Sequence, residues 1–417
     1  MVRLILGYMS RGLDSQLLSN QMTSFTFDTW FKRSSLPLLL IMQHIQNVQQ
    51  DINPSLAHEA DRLIKMCIED KDLGIVDLKL HVKANDHATR HSLHRHATTV
   101  CPVESARLSK VLQAQPSQNN SCEMVAKFSC QTELHRGEPY ILTLVERIAE
   151  LHPKNVKGHI PDIVWFHKFD RSSISNITPE GSSSVLYIIV FRRLMPITML
   201  SGNAFLRAWW HAVLCKNKFS GIIFHLLTVM TGHRILWRYG VHHRNISPGN
   251  LMVYRTESGE WNGVLINFDS ASGQGGPADD NNEVTGTIPF MALDLLAGHS
   301  PDGKHLYQHD AESFIWVLAW VCLQYEDGKP RSDDQRPVDC WLKEDAFGCV
   351  NTKISFLVFD THDVQPSSLH QSNWEVAQSC LTTVFQTMYG RGPNLKLKLE
   401  DEDVFQTWLK AEVEQRL

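Results

Sequence analysis

Apolar residues along this chain form alternating or continuous short runs in its first half and helical stripes in its second. Residues 1 to about 52 carry no clean period and predict no element. Leu56, Ala60, Leu63, Ile64, Cys67 and Ile68 then recur at helical spacing behind Asn53-Pro54-Ser55, which predicts an amphipathic helix over 54–70. Gln115 to Ser121 is turn-rich and leads into Cys122 to Phe128, read as a strand. Ile141, Leu142, Val145, Ile148, Ala149 and Leu151 mark one face of a helix, and Val185 to Phe191 is a continuous apolar run, the pattern of a buried strand. Helical stripes follow: Phe205, Trp209 and Val213, with Leu206, Trp210 and Leu214 beside them. Ser372 to Tyr389 and Asp403 to Leu417 read as closing helices. Strands first and helices afterwards predict an α+β protein of two lobes, a small β-rich one and a larger helical one.

Composition changes this picture little. The chain has 417 residues, 43% hydrophobic and 20% charged, so disorder throughout and fibrous repeats are excluded. A net charge of -5 argues against nucleic acid as partner. Nine cysteines without paired spacing, and no secretory leader at Met1 to Gly7, point to an intracellular setting, cytoplasmic or nuclear. The most apolar windows, Leu36 to Met42 and Ile222 to Met230, fall short of the roughly 20 residues of a membrane span, so no membrane is expected. Within a histidine-rich stretch, His87, His91 and His94 would share one helix face, as zinc ligands can. No cysteine pair or fourth ligand stands at a matching interval, and a polar surface helix is the plainer reading.

The chemistry lies further on. Val125-Ala126-Lys127 places a lysine on a strand, and Glu138 opens the next helix, the order of a phosphate-gripping lysine and its ion-pair partner. His243, Arg244 and Asn250 match H-R-x-x-x-x-x-N, and Val264-Leu265-Ile266 runs as a strand into Asn267-Phe268-Asp269. Thr285-Gly286-Thr287-Ile288-Pro289-Phe290 stands where an activation segment would end. Four such motifs in order at these intervals specify a protein-kinase plan.

With FLRAWW (Phe205 to Trp210), GVHHRNISPGNLMVYR (Gly240 to Arg255), VTGTIPFMALDLL (Val284 to Leu296) and HLYQHDAESFIWVLAWVCLQYEDG (His305 to Gly328), residues 122 to 390 resemble the fungal-type protein kinase-like family. The resemblance implies a two-lobed kinase-like fold: an N-terminal extension of unassigned role over 1–120, an N-lobe over 121–200 and a C-lobe over 201–417. It also implies ATP and magnesium. Lys127 and Glu138 would serve the nucleotide, and Asn250 would be a metal ligand. Arg244 would hold a phosphorylated activation loop with Thr285 or Thr287 as phosphosite. Asp310 would be the buried helix aspartate that accepts N–H groups of the catalytic loop, and Asp294 would make a structural ion pair.

Two positions depart from the family pattern. Asn245 stands where the general base is an aspartate, and Asn267 stands where an aspartate holds magnesium. A general base is worth roughly 10²- to 10⁴-fold in rate, and an amide cannot take up a proton at neutral pH. An amide oxygen is also a poorer ligand for a hard dication. No glycine occurs between Gly74 and Gly137, so no glycine-rich phosphate loop is present there. Asp269, two residues past Asn267, would point the same way in extended backbone and reach the metal. Some twenty residues between Cys215 and Leu236 interrupt the family pattern, as a helix extension or a translated intron. The expected function is a catalytically impaired kinase-fold module that binds a protein partner. The alternatives are a slow Ser/Thr kinase and a small-molecule phosphotransferase.

Overall fold

The computed structural model describes residues 62–82, 98–115, 117–132, 137–153, 155–169, 184–213, 232–272, 286–300, 304–388 and 399–410. The zinc reading at His87, His91 and His94, the phosphosite Thr285 and residues 216–231 of the interrupting segment lie outside them.

Strands β1 (Arg62–Asp70), β2 (Gly74–Val82), β3 (Thr98–Glu104), β4 (Met124–Thr132), β5 (Ile163–Lys168) and β6 (Ser184–Arg192) build one sheet in the order β1-β2-β3-β4-β6-β5, with every neighbouring pair antiparallel. Helix α1 (Ala106–Ala114) covers one face and α2 (Glu138–Leu151) lies on the other. Buried on both sides, β6 alternates between two cores. Leu186, Ile188 and Val190 join the core under α1, while Tyr187, Ile189 and Phe191 join that of α2. Its sequence is therefore apolar throughout rather than alternating.

Two expectations are corrected here. The stretch expected as a helix over 54–70 is, from Arg62 on, a strand paired with β2 across the turn Asp70 to Gly74. Met66 and Ile68 are buried and Leu63 is exposed, a period of two. Gly74 takes a left-handed φ of 73°, and Asp70 Oδ1 accepts N–H bonds from Asp72 and Leu73, which closes the hairpin. The boundary at 121 also falls inside this sheet, because β1 to β3 extend it upstream and β3 pairs directly with β4.

The helical lobe is centred on a long helix. β7 (Met195–Pro196), α3 (Gly202–Val213), α4 (Gly232–Arg238), β8 (Leu251–Arg255), β9 (Trp261–Leu265) and α5 (Leu293–Leu296) precede it; α6 (Tyr307–Gln324) is buried along its whole length. β10 (Tyr325–Glu326), β11 (Lys329–Pro330), α7 (Ala346–Ser355), α8 (Gln371–Met388) and α9 (Asp401–Val404) follow. From Phe314 to Leu323 the helix is apolar on every side, and such a helix belongs in a core. Gly263 on β9 lets α3 approach: a Cβ there would run into the Ala208 carbonyl oxygen. The whole is an α+β, kinase-like fold of two lobes.

Candidate functional site

Pleating aims Lys127 into the space between the lobes. On β4, Met124, Ala126 and Phe128 enter the core under α1, so Lys127 turns to the other face, toward α2. Its Nζ lies 2.6 Å from Glu138 Oε2 and 2.7 Å from Asp269 Oδ2, and it donates to Asn267 Oδ1 at 2.8 Å. Glu138 opens α2 and accepts the Phe268 N–H at 2.9 Å through Oε1, tying that helix to the Asn267-Phe268-Asp269 turn.

The hairpin of β8 and β9 explains why residues seventeen apart in sequence stand side by side. Leu251 pairs with Leu265, and the Ile266 N–H donates to the Asn250 carbonyl at 3.0 Å. Asn250 and Asn267 flank that pairing. Asn267 then adopts a left-handed conformation, φ 67° and ψ 67°, before a short 3-10 turn. Asp269 reaches Lys127 through this turn, not through the extended backbone expected from the sequence. Asparagine is among the residues that tolerate left-handed backbone best.

Hydrogen bonding fixes both amides. Lys127 is a pure donor, so it orders Asn267 with Oδ1 inward. Its Nδ2 then donates to Asn250 Oδ1 at 3.1 Å, while Asn250 Nδ2 donates to the Asn245 carbonyl at 2.7 Å. Asn245 is buried, and its Oδ1 accepts from the Thr287 hydroxyl at 2.8 Å. Thr287 thereby meets the general-base position directly.

Behind the loop, His243 Nε2 donates to the Ile266 carbonyl at 2.9 Å, and its Nδ1 accepts from the Asn245 N–H at 3.3 Å, so one tautomer satisfies both. Burial pushes its pKa down to about 4, keeping it neutral. Its ring meets Phe268 edge-on at 5.0 Å. Asp310 on α6 accepts the Arg244 N–H at 3.3 Å, His233 Nε2 at 2.9 Å and His305 Nε2 at 2.8 Å. Burial alone would raise the Asp310 pKa, but His305 and His233 hold it well below the ordinary carboxylate range. Arg244 keeps a left-handed φ of 66° at this junction.

Burial opposes the Lys127 charge, yet the carboxylates of Asp269 and Glu138 outweigh it and raise its pKa. Glu138 is pushed up to about 7 by burial and by the nearby charge of Asp269, against the pull of Lys127. One ammonium serves two carboxylates, and the less exposed of them takes the penalty.

Asp294 sits in the short helix α5, where its carbonyl accepts the His299 N–H at 2.9 Å. Beside it lies a pair that sequence reasoning missed. Glu312 on α6 accepts the Leu293 N–H and the Trp316 indole N–H, both at 2.9 Å. Lys353 on α7 donates to the Met291 carbonyl at 2.8 Å and lies 4.3 Å from the Trp316 ring centroid. Glu312 follows Asp310 by two residues in the polar first turns of α6, and no local pattern singled it out. Tyr187 was also missed: burial, then the charges of Asp269 and Glu138, push its hydroxyl pKa up.

ATP and magnesium, implied by the family resemblance, would meet Lys127, Asn250, Asn267 and Asp269. The amide groups of Asn250 and Asn267 are taken up with each other and with Lys127, and the carboxylate of Asp269 with Lys127. This arrangement does not fit a magnesium ion, which requires several unengaged oxygens in near-octahedral order. Among the described residues no helix is long and apolar enough to cross a membrane. The model of the fungal protein kinase family matches residues 216–322, a stretch that begins within the interrupting segment and runs through the catalytic loop to α6. No curated protein matches the chain.

Proposed function

Since the chain belongs to the fungal-type protein kinase-like family, we propose that it is a pseudokinase, a kinase-fold module that acts by binding a protein partner rather than by phosphoryl transfer. One observation carries this reading. The Asn267 amide donates to Asn250 Oδ1, where an aspartate would present a second oxygen and a cation would have to bridge the two. An N–H···O bond is self-satisfied, whereas two oxygens facing each other need a cation between them. Asn245 adds to it, since its amide orients the Thr287 hydroxyl but cannot accept its proton.

The test is thermal denaturation with magnesium-ATP, together with mass spectrometry for autophosphorylation. A ligand at 100 times its Kd adds about 2.7 kcal/mol of stability, and the wild-type protein should show no magnesium-dependent gain of that size. The double variant Asn245→Asp/Asn267→Asp should gain a magnesium-dependent shift and phosphate incorporation. Efficient peptide phosphorylation by the unaltered protein would overturn the proposal. The competing reading, a slow Ser/Thr kinase, draws support from Asp269, whose carboxylate lies beside Asn267 on the same lysine. Under that reading Asp269→Ala abolishes a magnesium-ATP shift that the wild type already shows.

A further inference from the structure

α7, whose inner side packs on Ile288 and Met291, and the π-turn that continues it over Phe356–Asp360 present large apolar side chains outward. Phe347 is 74% exposed, Phe359 71%, Val358 49% and Ile354 38%. Phe347, Ile354 and Val358 follow one another at helical intervals, with Phe359 next to the last, so they share a face. Cys349, Val350, Lys353 and Phe356 are buried on the other side. The helix has therefore already covered its inner stripe and still shows a second apolar one. Single exposed hydrophobics are ordinary, but several on one face mark an interaction site.

Charge along this segment is predominantly negative. Glu344, Asp345, Asp360 and Asp363 are exposed. Of the two lysines between 338 and 363, Lys353 is buried, and Lys343, exposed and 4.0 Å from Asp339, is outnumbered by these carboxylates. We propose that this face docks a basic amphipathic segment of a protein partner, its apolar side chains on Phe347, Ile354 and Phe359 and its Lys or Arg residues over the acidic rim. The proposal rests on the reading of the chain as an interaction module and names the partner's chemistry. A second copy of this chain would set acidic rim against acidic rim, and an anionic membrane would be repelled by it.

The 417-residue protein, without nucleotide, is titrated into a fluorescein-labelled peptide of about 16 residues, Leu at helical spacing and Lys elsewhere, followed by anisotropy in about 150 mM salt. A control peptide carries Glu for every Lys. Expected is saturable binding of the Lys peptide only, weakened at least about tenfold, or about 1.4 kcal/mol, by Phe347→Ser/Phe359→Ser and likewise by Asp360→Lys/Asp363→Lys. Both variants change exposed side chains, and unchanged melting temperatures verify their folding. Equal binding by wild type and both variants, or by the Glu peptide, would overturn the proposal. So would a concentration-dependent dimer, or binding to phosphatidylserine vesicles, that Phe347→Ser/Phe359→Ser abolishes. Phosphorylation with intact peptide binding would refute only the pseudokinase reading; a silent cleft with no peptide binding would refute only this one.

Discussion

Lys127 is the residue on which the cleft's charges balance. Its removal as Lys127→Met would leave Glu138 and Asp269 facing each other with no cation between them, and breaking a buried pair in this way costs about 3–5 kcal/mol. Urea denaturation should show that loss at neutral pH. Asp269→Asn acts differently, because it removes the like charge that helps to push Glu138 up to about 7. A carboxyl with a raised folded-state pKa holds its proton more tightly folded than unfolded, so its contribution declines as pH rises from the ordinary value of 4.5 through about 7. In the variant the Glu138 carboxyl should titrate at lower pH, read from its carbon-13 shift, and the decline over that window should shrink. Unchanged titration would remove Asp269 as a cause.

At the scale of elements, close contacts set the joints. Gly263→Ala would drive a methyl group into the Ala208 carbonyl, so α3 and β9 must part; a loss of about 1–3 kcal/mol is expected in thermal or urea unfolding. Lys353→Met would leave the buried Met291 carbonyl without its donor, at about 1–3 kcal/mol, and speed amide hydrogen exchange over 291–296. What the chain discloses locally follows the same division. β6 and α2 were legible because their burial is written in their own side chains. β1 was not: the apolar spacing at 63, 64, 67 and 68 fits a helix, and only the hairpin with β2 makes 64, 66 and 68 the inner row. Lys127 and Glu138 could be picked out by motif, but the grip of Asp269 depends on a left-handed Asn267 that no spacing encodes. Lys353 was invisible for the same reason, since its partners lie on segments distant in sequence.

Among the described residues the molecule carries many neutral histidines that are buried or half-buried. Burial pushes His159, His242, His243 and His370 down to about 4 and His309 to about 3. Once unfolded they take up protons near their ordinary value of 6.5, so their contribution is complete above that pH and is lost as pH falls toward 4. Melting temperature should drop steeply between pH 6.5 and 5, with net proton uptake on unfolding; a flat profile over that window would contradict the burial of these rings. The six-stranded sheet has a consequence of its own for dissecting the protein. A polypeptide cut to begin at residue 121 would lack β1 to β3, baring the hydrogen-bonding rim of β4 and the apolar underside of α1's former niche. Such a fragment should precipitate, whereas one starting ahead of Arg62 keeps the rim sealed, making the stretch before the recognisable motifs a condition of solubility.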